Sequence, residues 1–430
     1  MMEQAYTVRQ AKRLPIEVEV PGSKSITNRA LLIAALCEGT SVLHGVLFSD
    51  DSRHFIQALA DLGFPVDVDE EHARVAVTGF GGEIPKKDAA VDVGSAGTAA
   101  RFLAAYFGLS QGRYYMDSSE QMRRRPMHEL LLALESLGAQ TEYQEEEYHF
   151  PLVIGNPGVT RHEVTVDVDK SSQFLSALLI ASVLSEEDFV IHATGSHGMA
   201  YVNMTIAMMA QFGVTVIREG AADFRIPGGA KYQAMEYRIE PDVSAASYFY
   251  AMSPVLGVRA HVKHVKGQSL QGDIRFLQVL EQMGCVREET PEGIAILPPP
   301  DGRLRGGSFD LSSFSDQALT LAAIACFADS AVTIRGIGHI RYQECDRLQA
   351  IRKNLEAMGI AAEQQSEDVI VIRPGTPRGC RIETYDDHRV AMAFAIPGLV
   401  TPGIVIENPM CCRKTFENYF EVLEQQVCQM

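Results

Sequence analysis

The sequence lacks the cysteine pattern of a metal-binding or disulfide-bonded protein. It contains eight cysteines in 430 residues, and no two of them are spaced as C-x-x-C. Its first residues, MMEQAYTVRQAKR, include no apolar stretch of the kind that a signal peptide requires. These absences favour reduced thiols in the cytoplasm. They also argue against a structural zinc site, so no metal is expected.

Long hydrophobic runs and low-complexity segments are also absent. The apolar segments are too short, and too often interrupted by small polar residues, to span a bilayer. The formal net charge of −17 argues against nucleic acids and anionic membranes as partners. It does not exclude an anionic small molecule, because a local cluster of cations outweighs the global field. The chain length predicts two domains, and we expect a monomer.

A polar, small-residue segment that leads into a strongly apolar helix recurs six times along the chain. The six segments begin at Ser23, Ser95, Ser171, Asp242, Ser313 and Tyr385. They define a β/α repeat of roughly 70 residues, which is longer than the common solenoid repeats. A helix N-terminus presents free backbone N–H groups and a partial positive charge. Several such termini at one cleft would therefore bind a multiply anionic substrate.

Each helix start is followed by the same series of elements. A strand comes next, then a polar loop, and then a second helix that ends near a glycine, as in ALADLGFPV, ALESLGAQT, MMAQFGVTV, VLEQMGCVR and NLEAMGIAA. Glycine at or just past a helix end is typical of a left-handed cap. The sixth repeat is cut short, whereas the strand LPIEVEVPGS precedes the first repeat. We therefore predict that this N-terminal strand completes the last repeat.

The repeats predict two similar halves of three repeats each. The N-terminal domain is expected to span residues 21–240, and the C-terminal domain to combine residues 1–20 with residues 241–430. The chain then crosses between the domains twice, near Gly22 and near Pro241, and two crossings make a hinge. A ligand is expected in the cleft between the halves.

Charged side chains cluster near these helix starts. Those that suit an anionic ligand are Lys24, Arg29, Arg101, Arg125, Arg347, Arg389 and Lys414. Arg125 belongs to the run MRRRP, in which Pro126 is predicted to begin a helix. Asp316 and Glu344 add two carboxylates. The whole set suits acid/base chemistry on a substrate that carries phosphate and carboxylate groups.

Each motif taken alone has an ordinary structural explanation. A serine such as Ser23 is a common N-cap, and a carboxylate such as that of Asp316 at a helix start is most often a cap as well. The run of arginines is typical of a solvated surface. The motif DDHR suggests a metal only weakly, because its residues lack i, i+4 spacing. The functional interpretation depends on the shared position of these motifs in the repeat.

Several motifs in register resemble those of the enolpyruvyl transferase family. They are PGSKSITNRALLIAAL, SAGTAARFL, RRRPM, DKSSQFLSALL, SDQALTLAA, ECDRL, YDDHRVAMAFA and RKTFENYF, and together they cover essentially the whole chain. The resemblance is strongest to the members that act on shikimate 3-phosphate. It implies an α/β (α+β) fold of two domains, each built from three βαβαββ repeat units as an inside-out α/β barrel.

The resemblance also implies a reaction. The enolpyruvyl group of phosphoenolpyruvate (PEP) moves to the 5-hydroxyl of shikimate 3-phosphate, and phosphate is released without a metal or an organic cofactor. By the same resemblance, PEP is held by Lys24, Gly97, Arg125, Gln173, Arg347, Arg389 and Lys414. The acceptor is held by Lys24, Ser25, Arg29, Ser171, Ser172, Gln173, Tyr201, Asp316, His339 and Gln343. Acid/base catalysis is assigned to Asp316 and Glu344 with the help of Lys24, and Asp50 and His388 are expected to line the cleft.

Three residues depart from the family pattern on the acceptor side. Gly198 stands where a serine is usual, Gln343 where a lysine is usual, and His339 where some members have asparagine. The departures leave two alternatives open, which are an enolpyruvyl transferase with a different hydroxyl acceptor and a catalytically silent paralogue. The member that uses a UDP-sugar is disfavoured, because it typically carries a cysteine in the loop near Arg123 and this chain has none there.

Overall fold

The computed structural model describes residues 5–195 and 198–428, and the chain divides into two compact units. The continuous unit runs from Gly22 to Ile239. The split unit combines the residues up to Pro21 with those from Glu240 onward. The segment 1–20, expected from the sequence to join the C-terminal domain, includes residues 1–4, which lie outside the described residues.

The continuous unit contains seven α-helices and twelve strands among its described residues. Two strands precede it in the chain, β1 (Ala5–Thr7) and β2 (Ile16–Val18). Its helices are α1 (Lys24–Leu36), α2 (Asp50–Asp61), α3 (Gly97–Gly108), α4 (Glu120–Arg123), α5 (His128–Ser136), α6 (Gln173–Ala181) and α7 (Met199–Gln211). Its strands are β3 (Glu38–His44), β4 (Val66–Asp69), β5 (Arg74–Phe80), β6 (Asp88–Asp92), β7 (Arg113–Asp117), β8 (Gln140–Tyr143), β9 (Leu152–Gly155), β10 (Glu163–Asp167), β11 (Phe189–Thr194), β12 (Ile217–Arg218), β13 (Asp223–Ile226) and β14 (Glu236–Arg238).

The strands of the continuous unit form three sheets of four strands each. Their orders are β14–β3–β5–β4, β6–β7–β9–β8 and β10–β11–β13–β12. In each sheet the first two strands are parallel and the remaining pairs are antiparallel. In two of the sheets a helix connects the parallel strands, as in β6–α3–β7, because parallel neighbours need a crossover connection. The second repeat thus follows the predicted βαβαββ order, with the short helix α4 added before α5.

The split unit repeats the same design. Its helices are α8 (Val243–Leu256), α9 (Phe276–Gln282), α10 (Ala318–Ala325), α11 (Arg347–Ala357), α12 (His388–Gly398) and α13 (Tyr419–Leu423). Its further strands are β15 (Ala260–Lys263), β16 (Val286–Thr290), β17 (Gly293–Leu297), β18 (Gly307–Asp310), β19 (Val332–Arg335), β20 (Ala362–Ser366), β21 (Val369–Ile372), β22 (Arg381–Ile382) and β23 (Val405–Glu407). Short 3₁₀ turns that matter below lie at Gly272–Arg275, Ser315–Gln317, Gly338–Tyr342 and Pro409–Lys414.

The N-terminal strand joins a different repeat from the predicted one. Strand β2 pairs in parallel with β15 and completes the sheet β2–β15–β17–β16, which belongs to the fourth repeat. The last repeat is completed instead by β1, which pairs antiparallel with β23. The prediction for LPIEVEVPGS was therefore wrong. Strand β2 pairs in the fourth repeat for a physical reason. Helix α8 follows Pro241 directly, so that repeat has no leading strand of its own, and β2 supplies it.

Six helices built almost wholly of buried residues form the two cores. In the continuous unit α1, α3 and α6 pack on one another, and all twelve residues of α3 are buried. In the split unit α8, α10 and α12 do the same. The sheets cover these helices, and strands such as β10 bury alternate residues, as expected of a sheet with one solvated face. This arrangement of helices inside and sheets outside confirms the predicted fold class.

No helix in the described part of the chain is long and apolar enough to cross a membrane. The longest, α8, has fourteen residues, whereas a spanning helix needs about 20.

The predicted glycine stops are confirmed at five second helices of the repeats. Just beyond each helix a glycine has a positive φ, and these are Gly63 (91°), Gly138 (100°), Gly213 (91°), Gly284 (100°) and Gly359 (79°). Only glycine adopts this left-handed conformation without strain, so it ends the helix and turns the chain back to the sheet.

Two of the six predicted helix starts are confirmed as side-chain caps. The hydroxyl of Ser23 accepts the N–H of Ile26, and the carboxylate of Asp242 accepts the N–H of Ala245. At the other four starts the polar segment forms the predicted turn, and the core helix follows it, α3 at Gly97, α6 at Gln173, α10 at Ala318 and α12 at His388. In the last of these turns Tyr385 and Asp386 have positive φ.

We expect Gly79→Ala to destabilise the protein. Gly79 lies in β5 against the end of α1, and a Cβ there would lie 2.4–2.6 Å from three backbone carbonyl oxygens. Relieving such overlap costs about 1–3 kcal/mol, so thermal unfolding followed by circular dichroism should move to lower temperature. The matched control is Gly375→Ala, whose Cβ would meet only the flexible end of Ile360, at 3.0 Å. Equal melting of the two variants would contradict the close packing of α1 on β5.

Candidate active site

The N-terminal end of α1 carries Lys24 in an ion pair with Asp51. The Nζ atom of Lys24 lies 3.1 Å from Oδ2 of Asp51, whose side chain is 2% exposed. The other oxygen of Asp51 lies 3.5 Å from the hydroxyl of Ser95. Asp51 therefore links the start of α1 to the segment that precedes α3. Asp50, which was expected to line the cleft, is exposed at the beginning of α2, whereas its neighbour Asp51 is buried.

Arg29 is a buried cation that is held by neutral groups. Its guanidinium group donates to the hydroxyl of Thr205 at 2.7 Å and to the backbone carbonyls of Ser25 at 3.0 Å and Tyr201 at 3.4 Å. Burial lowers the pKa of Arg29 to about 10. Within residues 5–195 and 198–428, no carboxylate forms a salt bridge with it. A cation in such surroundings retains its attraction for an anion.

The first turn of α3 lies against the guanidinium group of Arg125. A Cβ atom at Gly97 would lie 2.6 Å from one terminal nitrogen of Arg125, so only glycine permits this approach. Arg125 is 6% exposed and donates to the backbone carbonyl of Ser95 at 3.5 Å. Free N–H groups and a guanidinium group at one place favour an anion.

The prediction that Pro126 begins a helix was wrong by two residues. Helix α5 begins at His128, and Arg123 ends the separate short helix α4. Pro126 instead lies in the turn between the two helices, where its carbonyl accepts a hydrogen bond from Arg101 at 2.9 Å. Of the three arginines in the run, only Arg125 is buried.

The start of α6 is tied to α3 through Gln173. Its side-chain oxygen accepts a hydrogen bond from Arg101 at 2.7 Å, and its backbone N–H donates to the hydroxyl of Ser171 at 3.3 Å. Ser172, which is 9% exposed, is the N-cap residue of α6. The start of α6 therefore presents two hydroxyls and an amide in fixed positions.

The conformation of Gly198 explains why a glycine stands at this position in place of the usual serine. It precedes α7 with a φ of 64°, and a Cβ atom would lie 2.5 Å from the hydroxyl oxygen of Ser172. A serine here would therefore displace Ser172 and add backbone strain. Tyr201 lies one turn later, half-buried.

Nine of the predicted residues are thus linked by contacts within the continuous unit. These are Lys24, Ser25, Arg29, Gly97, Arg125, Ser171, Ser172, Gln173 and Tyr201. They lie at or near the N-terminal ends of α1, α3, α6 and α7, where backbone N–H groups are unpaired by the helix.

In the split unit, Arg347 binds three carboxylates at once. Its guanidinium group lies 2.9 Å from Asp316, 2.7 Å from Glu344 and 2.7 Å from Asp387. The Arg347 side chain is 2% exposed and that of Asp387 is fully buried. Burial by itself lowers the pKa of Arg347, but the carboxylates, Asp387 foremost, raise it above its usual value. Arg347 is therefore a permanent cation.

Two further cations complete the carboxylate cluster. A terminal nitrogen of Arg389 lies 2.8 Å from Asp316, and Nζ of Lys414 lies 3.5 Å from Glu344. Asp316 is 18% exposed and Glu344 is 7% exposed. Each of the two carboxylates therefore bridges Arg347 and a second cation.

His339 and Gln343 belong to the turn that precedes this cluster. The Nε2 atom of His339 lies 2.7 Å from the hydroxyl of Ser315, the residue before Asp316. Gln343 is half-buried at the end of the turn Gly338–Tyr342. His388 is 1% exposed, and its Nδ1 lies 3.8 Å from Asp387.

The roles of the two buried carboxylates, Asp51 and Asp387, were not predicted from the sequence. Asp387 was considered only within a weak metal motif, whereas it caps α12 by accepting the N–H of Arg389 and pairs with Arg347. Its signal was a carboxylate directly before an apolar helix. In the described ranges, no group of three or more His, Cys, Asp or Glu residues is arranged to hold a metal ion.

Comparison with known proteins agrees with this geometry. The profile of the family described as EPSP synthase (3-phosphoshikimate 1-carboxyvinyltransferase) matches residues 8–423. The chain is similar to the 3-phosphoshikimate 1-carboxyvinyltransferase of Nostoc punctiforme, with 44% identity over 95% of this chain and 96% of the relative. It is also similar to the enzyme of that name from Sulfurovum sp., with 38% identity over 98% of each chain.

The fold is similar to a solved structure of EPSP synthase from Acinetobacter baumannii. The TM-score is 0.81, and the match covers 99% of this chain and 98% of the other at 24% identity. At that identity the likeness supports the fold alone.

The repeat fold, the cationic helix starts and the paired carboxylates, taken with these matches, define a carboxyvinyl transferase. Within this class, the chain belongs to the EPSP synthase (3-phosphoshikimate 1-carboxyvinyltransferase) family. The resemblance stated from the sequence motifs is thereby confirmed.

We expect Arg347→Met to destabilise the protein by about 3–5 kcal/mol, because it leaves the buried Asp387 without its cation. Thermal unfolding is the measurement. The control is Arg381→Met, which removes an equally short pair, 2.6 Å from Glu407, from a side chain that is 64% exposed. An exposed pair contributes at most about 1 kcal/mol, so the control should melt near the wild type. Similar losses in both variants would contradict the central role of Arg347.

Proposed function

We propose that this chain transfers the enolpyruvyl group of PEP to the 5-hydroxyl of shikimate 3-phosphate and releases phosphate. The observation that carries the proposal is the cluster in which Asp316 and Glu344 share the guanidinium group of Arg347. Such a cluster supplies fixed positive charge and proton acceptors in one place. Family membership supplies the identity of both substrates.

The donor requires groups that bind a phosphate and a carboxylate. In the continuous unit we assign Lys24, Gly97, Arg125 and Gln173 to PEP, and the approach of Arg125 to the first turn of α3 supports this assignment. In the split unit we assign Arg347, Arg389 and Lys414 to PEP. Guanidinium groups suit these anions because they form paired, charge-assisted hydrogen bonds.

The acceptor carries a phosphate and several hydroxyls. We assign Lys24, Ser25, Arg29, Ser171, Ser172, Gln173, Tyr201, Asp316, His339 and Gln343 to this substrate. The support is strongest at Arg29, whose buried charge is met only by neutral groups in the described ranges. The hydroxyl pair of Ser171 and Ser172 at the start of α6 suits a phosphate.

The reaction includes three proton transfers. A proton is added to the methylene carbon of PEP while the 5-hydroxyl oxygen bonds to C2 and loses its own proton. The tetrahedral adduct then loses phosphate from C2 and a proton from the new methyl group, which restores the double bond. We assign these transfers to Asp316 and Glu344, with Lys24 assisting. Carboxylates that cations hold in place are positioned to exchange protons with a bound substrate.

Phosphate release tests the overall reaction. We expect wild-type protein to release phosphate from PEP only when shikimate 3-phosphate is present, as measured with a coupled phosphate assay. PEP binding, measured by calorimetry, serves as the internal control. If PEP binds but shikimate 3-phosphate supports no release, the acceptor assignment fails and a different hydroxyl acceptor is indicated. Absence of both would indicate a catalytically silent paralogue.

Asp316→Asn tests the acid/base assignment. We expect kcat to fall by about 10²–10⁴-fold, because the amide cannot accept the proton, while KM for PEP changes less. The matched control is Asp301→Asn, which alters an exposed residue paired with Arg305 and should leave kcat unchanged. Thermal unfolding checks that the variant is folded. If Asp316→Asn loses its fold instead of its activity, the carboxylate is only a structural cap.

A further inference from the structure

A second carboxyl group is buried behind the turn that carries Asp316. Asp273 belongs to the turn Gly272–Arg275 and is 2% exposed. Its Oδ1 atom accepts a hydrogen bond of 2.7 Å from the side-chain amide of Gln317, which is itself fully buried. In the described part of the chain no cation forms a salt bridge with Asp273. It is thus a buried acid with a single neutral donor.

Gln317 connects this carboxyl group directly to the proposed catalytic one. Gln317 follows Asp316 in the short turn Ser315–Gln317, and Asp316 is held from its other side by Arg347 and Arg389. The turn therefore has two anchors, which are the guanidinium groups on one side and Asp273 on the other.

The Asp273 turn is itself fixed to the start of α8. The side-chain amide of Gln271 donates to the carbonyl of Pro241 at 2.8 Å, and its oxygen accepts the N–H of Val243 at 3.0 Å. Glu240 accepts the N–H of Leu270 at 3.2 Å. The backbone next to Asp273 is thus held in place independently of the Asp316 turn.

Four charged groups surround Asp273. Asp316 faces it from the turn Ser315–Gln317, Asp242 from the start of α8 and Arg389 from α12. On its own turn, Arg275 is directed to the hydroxyl of Ser313 at 2.7 Å. Burial and then the charge of Asp316 raise the pKa of Asp273 to about 6, against a smaller opposing effect of Arg389. Two carboxyl groups that interact in this way titrate as a pair.

We propose that Asp273 is a positioning residue for Asp316, because it anchors the Asp316 turn through Gln317 and couples its own protonation to that of Asp316. When Asp273 is ionised, its negative charge makes Asp316 a stronger proton acceptor. When Asp273 takes up a proton, that effect is lost. The inference rests on the proposed function, in which Asp316 transfers a proton.

The test is the pH profile of kcat/KM for Asp273→Asn. Asparagine keeps the shape and removes the charge. We therefore expect the inflection near pH 6, where Asp273 of the wild type takes up its proton, to be absent, with a plateau less than about tenfold below that of the wild type. Ionisations of the substrates are common to both proteins and cancel in the comparison. The matched control is Asp329→Asn, an exposed residue at the far end of α10, whose profile should superimpose on the wild type.

A second variant tests the proposal even if Asp273→Asn does not fold. Gln317→Met removes the single donor to Asp273, so the carboxyl group stays neutral up to higher pH and the inflection should move up. A uniform loss of rate with the inflection unchanged in either folded variant would overturn the proposal and leave a structural role. Full activity of Asp316→Asn would instead refute the proposed function, whatever the Asp273 profiles show.

Discussion

The split unit depends on one guanidinium group. Arg347 joins three carboxylates that come from three separate segments, which are the turn before α10, the loop before α11 and the start of α12. A buried charge is tolerated only when its partners are in place, so each of these segments fixes the position of the others. The small-residue packing of α8, α10 and α12 brings the segments close enough for this to happen. The packing of the core helices therefore also sets the geometry of the site.

The same repeat places a buried arginine in different electrostatic surroundings in the two units. In the continuous unit, Arg29 is buried among hydroxyls and carbonyls, which leaves a net positive charge for a ligand. In the split unit, Arg347 is neutralised by carboxylates, and the same ionic contacts hold in place the two carboxylates that we propose to transfer protons. The first arrangement suits binding and the second suits proton transfer. A repeated scaffold has thus been given distinct chemistry by a few side chains at helix starts.

Local patterns in the sequence predicted the local structure. The end of a helix at a glycine depends on that one residue and its φ, so the helix ends at Gly63 and Gly359 were predicted correctly. The partner of β2 depends on pairing across more than 240 residues, and no local pattern encodes it. Asp50 and Asp51 are adjacent, yet only the second faces the interior from α2, and burial of that kind follows from tertiary packing. The burial of Asp273 could not be predicted for the same reason. How the two units are arranged around a ligand stays a prediction.

The pairing of β1 with β23 has a consequence for biosynthesis. Ala5 lies opposite Glu407, so the residues of β1 are synthesised long before the residues that pair with them. The continuous unit needs no such delay, because every strand of its three sheets lies between Gly22 and Ile239. At translation rates of about 5–20 residues per second, that unit has many seconds to fold on the ribosome before the other is complete. During that interval β1 and β2 lack the strands that pair with them, and unpaired strands of this kind are prone to aggregate.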